Sequence, residues 1–141
     1  MIPLHDDIPS RRYPVVTRLI VAASVLVFLY ETTLEPRELW VLVQNLGVVP
    51  ARYFPLERLF AYGWVLVIPL ITSVFLHGGW MHLISNMLYL WIFGDNVEDR
   101  MGHGRFLVFY LLVGVMGNAA HILADPAARV PAIGASGAIA G

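Results

Sequence analysis

The run "VVTRLIVAASVLVFLYETTL", residues 15–34, sets the strongest limit on what this chain can become. A helix needs about 20 predominantly apolar residues to cross a bilayer. Inside hydrocarbon, only a structure that satisfies its own backbone hydrogen bonds is stable. Two further runs share this character, "GWMHLISNMLYLWIFGDN" (79–96) and "FLVFYLLVGVMGNAAHIL" (106–123). Composition agrees: 58% of residues are hydrophobic and 13% charged, where soluble domains average about 45–50% and about 25%. The expected fold class is all-α, a polytopic transmembrane helix bundle forming one membrane domain over residues 1–141. It would hold three complete spans plus the start of a fourth at "IGASGAIAG".

The residues before the first run include Asp6 and Asp7, and the run has no small-residue cleavage site. It is expected to remain as a permanent first span, not a cleaved signal, with Arg18 snorkelling toward the headgroups. Residues 35–76 are mixed in character and punctuated by Pro36, Pro50, Pro55 and Pro69. "PRELWVLVQNLG" has a proline at a helix start and a glycine stop. Trp40, Tyr53, Tyr62 and Trp64 are of the types that favour the membrane–water boundary. This stretch reads as a long first loop of short helices lying in or on the outer interface.

All nine basic residues are arginine. Arg11, Arg12 and Arg18 flank the first span, and Arg100 and Arg105 sit in the short second loop. The long first loop holds only Arg37, Arg52 and Arg58, and the third loop only Arg129. That density places the N-terminus and second loop inside. A net charge of −1 with no basic face argues against a nucleic-acid partner. Without cysteine, no disulfide, thiolate nucleophile or thiolate metal site can form.

With this topology the second and fourth spans both enter from outside, so His82 and Ser136 lie at similar depth. His82 and Asn86 are four apart and share a helix face. Polar side chains inside a span are costly and mark candidate functional sites. An imidazole and a carboxamide there could donate to a developing oxyanion, worth roughly 3–4 kcal/mol each. The same pair could instead join helices by hydrogen bonds. A catalytic zinc would need three protein ligands. The nearest acids down the span after His77 and His82 are Asp95 and Glu98, and Asp95 is about 20 Å from His82 along a helix. Neither metal nor cofactor is expected.

Ser136 sits in "GASG", between Gly134 and Gly137. The nucleophile elbow of soluble hydrolases needs Gly-x-Ser-x-Gly after a strand; here Ala138 stands where its second glycine belongs. Gly137 and Gly141 have the spacing of a close helix contact. That contact is compatible with a nucleophile, because a helix start leaves N–H groups free for an anion. In "GDNVEDRMG", Gly94, Glu98 and Gly102 recur every four residues, which reads as a structural clasp between the second and third spans at their inner turn. A carboxylate at a helix C-terminus opposes the dipole, so Arg100, Arg105 or loop N–H groups are expected to compensate Glu98.

Together, "LITSVFLHGGWMHLISNMLYLWIFGDNVEDRMG", "IGASGAIAG" and the amphipathic first loop resemble the rhomboid family of intramembrane serine proteases. The resemblance implies a six-span core of which these residues form the N-terminal portion. Ser136 would be the nucleophile, and His82 and Asn86 would line an oxyanion hole with the serine's own N–H. His77, Gly134, Gly137 and Glu98 would be structural positions near the site or at the inner turn. Substrates would be transmembrane proteins cleaved within or beside their spans. Short loops and the lack of a transit peptide point to a bacterial inner membrane, and the arginine distribution to a cytoplasmic N-terminus.

Two departures stand out. Trp64 is followed by Val65, where many members carry a Trp-Arg pair. The family's general base, a histidine on a sixth span, has no counterpart in these residues. His5 and His103 are expected on the opposite side from Ser136. His121, near the outer end of the third span and close to Ser136, is expected to face headgroups or pack on the third loop; the alternative is that it replaces the missing base. Taken as the N-terminal part of a longer protein, the 141-residue chain is expected to be inactive alone. The alternative is a non-catalytic rhomboid-like protein that binds client transmembrane segments and needs none of Ser136, His82 and Asn86. A generic transporter or scaffold predicts no ordered oxyanion set.

Overall fold

The structure, a computed structural model, describes residues 13–55 and 57–141. His5, Asp6, Asp7, Arg11 and Arg12 lie outside the described residues. Among those described, seven α-helices follow in order: α1 (Val15–Thr33), α2 (Pro36–Leu46), α3 (Glu57–Tyr62), α4 (Trp64–Thr72), α5 (Trp80–Met101), α6 (His103–Ala124) and α7 (Ser136–Ile139). Two 3₁₀ turns, Pro50–Arg52 and Ser73–Phe75, complete the set. The protein is an all-α membrane helix bundle. Helices α1 and α6 are each long and apolar enough to cross a membrane. Helix α5 qualifies only jointly with the segment Trp64–Phe75, from which it is bent by 83°. The final turns of α5 carry Asp95, Glu98, Asp99 and Arg100, which dilute its apolar character.

Helix α1 buries Ile20, Ser24, Phe28 and Glu31, one residue per turn along one stripe. Leu19, Leu26, Leu29 and Tyr30 are exposed, on surface suited to lipid. Helix α6 repeats the pattern with Phe106, Tyr110 and Gly114 buried. The expected charged turn between the second and third spans is not there. Helix α5 continues through "DNVEDRM" to Met101, and the reversal is made by Gly102 alone. Gly102 has φ +80°, a conformation that glycine adopts without steric cost.

The reason the charged segment stays helical is Glu98, only 1% exposed. Helix α1 begins after Pro14, which gives no side-chain cap, and its first-turn N–H groups lack intrahelical acceptors. One oxygen of Glu98 accepts the Val16 N–H at 2.8 Å and His103 Nδ1 at 2.5 Å. The other accepts the Thr17 N–H at 2.8 Å and the Thr17 hydroxyl at 2.7 Å. Glu98 therefore clasps α5 to α1 and to the start of α6, and its compensation comes from these groups, not from Arg100 or Arg105. Gly94, one turn earlier, permits this approach: a Cβ there would come 3.1 Å from Thr17 Cγ2.

The first loop is a folded layer of short helices, as its prolines and aromatics suggest. Its residues 47–52 strap onto the segment that leads to Ser136. Val48 and Ala132 exchange both backbone hydrogen bonds, at 3.0 and 2.8 Å, and the Ala51 N–H donates to Ala128 O at 3.0 Å. Val48, Tyr53, Leu66 and Ile122 form the apolar cluster beneath. Burial pushes the Tyr53 phenol up to about 12, against an opposing pull from Arg52, so it remains a donor to Leu66 O at 2.8 Å.

Replacing Glu98 by alanine would leave two first-turn N–H groups and a hydroxyl without their acceptor. Glu98→Ala is expected to lower unfolding stability by about 3 kcal/mol, and Glu98→Gln by less, in mixed-micelle denaturant titrations. A loss below about 0.5 kcal/mol in the alanine variant would show that the clasp contributes nothing.

Candidate functional site

The site is built where α5 begins. The chain leaves the 3₁₀ turn at Phe75, bends across residues 76–79 and enters α5 at Trp80. His82 lies in the first turn of α5, half-buried, and Asn86 follows one turn deeper and is buried. The ring of His77 packs edge-on against that of His82, with centroids 5.2 Å apart and planes at 66°. His77 Nδ1 lies 3.2 Å from Phe75 O. A carbonyl oxygen only accepts, so this nitrogen carries the proton.

Ser136 opens α7, which is a single turn. The segment before it descends onto the same layer: the Gly134 N–H donates to Ser73 O at 2.8 Å. Gly134 has φ +119°, and a Cβ there would lie 2.5 Å from both Cε1 and Nε2 of His82. The backbone two residues before Ser136 thus rests directly on the His82 imidazole. From the other side α7 packs on α6, where a Cβ on Gly117 would come 3.1 Å from Gly137 Cα, and Gly141 abuts Val113.

Ser136 is exposed and borders a cavity of about 170 Å³ shared with Val74, Asn118, His121, Gly134 and Gly137. His121 is exposed and lines the same cavity, together with Ala132 and Ile133 of the third loop. His82 and Asn86 do not border that cavity. No hydrogen bond joins the Ser136 hydroxyl to another described residue. The Asn86 amide nitrogen is buried with no hydrogen-bond partner among the described residues. Glu98 is remote from this cluster, about 18 Å from Asn86 along α5. Among the described residues, no group of three His, Asp or Glu side chains could hold a metal.

Three polar residues of the site layer are not signalled by any motif. Ser73 and Asn118 are joined by a 2.9 Å hydrogen bond, with Asn118 also donating to Leu70 O at 2.9 Å. Glu31, inside the first apolar run, is buried and accepts the His77 backbone N–H at 3.2 Å. The available signal for Glu31 was an acidic residue in a span with no neighbouring cation.

Comparison with known proteins places these features in a family. Residues 65–141 match the family model described as "Rhomboid domain". The chain is 32% identical to YdcA of Bacillus subtilis strain 168 over 134 residues, covering 93% of this chain and 60% of YdcA. It is 35% identical over 110 residues to Rhomboid-like protein 11, chloroplastic, of Arabidopsis thaliana, covering 72% of this chain and 38% of that protein. It is 46% identical over 72 residues to rhomboid protease GluP of Bacillus subtilis strain 168, covering 51% of this chain and 14% of GluP. The chain thus spans less than two thirds of the length of these relatives. No solved structure matches it.

The seat of Gly134 on His82 leaves no room for a side chain. Gly134→Ala combines a strained backbone with a methyl group on the imidazole, and is expected to cost about 2 kcal/mol. The His82 ring resonances of histidine-labelled protein should move with it. Unchanged stability together with unchanged His82 signals would rule the contact out.

Proposed function

The chain belongs to the rhomboid family, and on that premise we propose that it supplies the nucleophile and oxyanion donors of an intramembrane serine endopeptidase. The single observation that supports this most is the rest of Gly134 on His82, which holds the imidazole within two residues of Ser136. In this reading the Ser136 hydroxyl attacks the carbonyl carbon of a peptide bond within or beside a substrate's transmembrane segment. The carbonyl oxygen becomes an oxyanion and accepts from the Ser136 N–H, which has no i−4 partner in the first turn of α7. His82 and the amide of Asn86 supply the other donors. The buried Asn86 nitrogen, free of any described partner, gains an acceptor only as that charge develops, which is the condition for catalysis. The acyl-serine formed when the amine leaves is then hydrolysed by water.

The serine proton needs a base. The family resemblance assigns that role to a histidine of a later span. A second reading gives it to His121, because His121 and Ser136 border one cavity. The proposed setting is a bacterial inner membrane, from the short loops, with the N-terminus cytoplasmic, from the arginine distribution. The non-catalytic alternative keeps the spans and uses them to bind client segments.

The test uses the protein as isolated from its own membrane, a fluorophosphonate probe and a transmembrane reporter substrate. Ser136→Ala is expected to abolish both labelling and cleavage. His82→Ala and Asn86→Ala should each lower kcat by about 100-fold with little change in KM. His121→Ala should stay within about threefold of the unchanged protein; a loss as deep as that of Ser136→Ala would move the base to His121. Reporter cleavage that survives Ser136→Ala would reject the protease reading, and reporter binding without cleavage in the unchanged protein would favour the client-binding one.

A further inference from the structure

Helix α1 contributes no residue to the chemistry described above, yet it reaches the site at two points. Phe28 packs edge-on against Trp80, the first residue of α5, with ring centroids 4.9 Å apart. One turn further on, Glu31, 3% exposed, accepts the backbone N–H of His77 at 3.2 Å. His77 lies in the middle of the bend at residues 76–79, where Gly78 and Gly79 offer little backbone restraint of their own. Apart from Glu31, the hydrogen bond recorded for His77 is local, from its own Nδ1 to Phe75 O. The Glu31 carboxylate is thus the long-range anchor of the bend.

What the bend carries is the His77 ring, which lies against His82, and His82 in turn supports Gly134. We propose that Glu31 is a positioning residue for the oxyanion side of the site: its carboxylate fixes the His77 backbone and, through the His77 ring, the imidazole of His82. This rests on the reading of His82 as an oxyanion donor. A metal-ligand role for Glu31, His77 and His82 is not supported, since no such trio among the described residues has metal-binding geometry. Glu31 touches neither substrate nor reacting atoms. Its effect belongs to the turnover step, where a donor displaced by a fraction of an ångström binds the transition state less well than before.

The experiment measures kcat and KM on a transmembrane reporter together with the His82 ring resonances of histidine-labelled protein. In the protein as isolated from its membrane, Glu31→Ala is expected to lower kcat about tenfold with KM within about twofold, and to shift the His82 signals. Glu31→Gln, whose amide oxygen can still accept the His77 N–H, should recover kcat to within about threefold and restore the signals; a role in bulk stability alone would not give this pattern. Wild-type kcat and unmoved His82 signals in Glu31→Ala would overturn the proposal. If Glu31→Ala does not fold, Glu31→Asp makes the same test, because its shorter side chain draws the carboxylate back; wild-type values there overturn the proposal equally. Should the unchanged protein show no Ser136-dependent cleavage, the protease reading fails separately. The His82 signals then decide alone: a shift in Glu31→Ala supports the positioning role, and no shift rejects it.

Discussion

The carboxylate of Glu98 fixes how the first helix lies against the rest. It takes the free N–H groups at the start of α1 and the hydroxyl of Thr17, and draws in His103 at the start of α6. In an apolar surrounding those donors have no other acceptor, so the alignment of α1 on α5 is specified at this point. At the far end of the same pair the arrangement recurs in reverse. Glu31, in the last turns of α1, accepts an N–H just before α5. Each carboxylate sits near the C-terminal end of its own helix, where the dipole disfavours it, and beside the N-terminal end of an antiparallel neighbour, where the dipole favours it. Two acids thus set both ends of one helix pair.

That pairing explains why the candidate site gathers around residues 73–77. Ser73 takes the Gly134 N–H on its carbonyl and the Asn118 amide on its hydroxyl. His77 takes Glu31 on its backbone and His82 against its ring. Helices α1, α5 and α6 and the segment before α7 all meet on five consecutive residues. The first loop closes the arrangement from outside, through the Val48–Ala132 bridge.

The spans were legible in the sequence because hydrocarbon leaves so little choice: α1 and α6 begin and end within about three residues of their apolar runs. The arginine-based topology also put the start of α5 and the segment of Ser136 at one end of the bundle, and the contact of Gly134 with His82 is consistent with that. The partners of the acids were not legible. "GDNVEDRMG" looks like a turn by its charges and glycines, and it is helical because Glu98 is neutralised by groups 81 and 82 residues away in sequence. Glu31 lies in an apolar run with no motif around it, and its partner is known only once α1 is seen to run antiparallel to α5.

The Glu98 carboxylate and the Asn86 amide differ in how they are paired. Glu98 is saturated: four donors on one carboxylate leave it nothing further to bind. At the other end, the Asn86 amide nitrogen is buried without a described partner, as are Asp99 Oδ1 beside Glu98 and the Ser24 and Tyr110 hydroxyls elsewhere in the bundle. An unsatisfied buried donor is costly in a protein interior and more so in a membrane. In the proposed reading, the free amide donor one turn below the His82 imidazole has an acceptor that is transient. An oxyanion that exists only during bond cleavage is such an acceptor. In that reading, the cost of the unpaired donor in the resting protein favours binding of the transition state over the ground state.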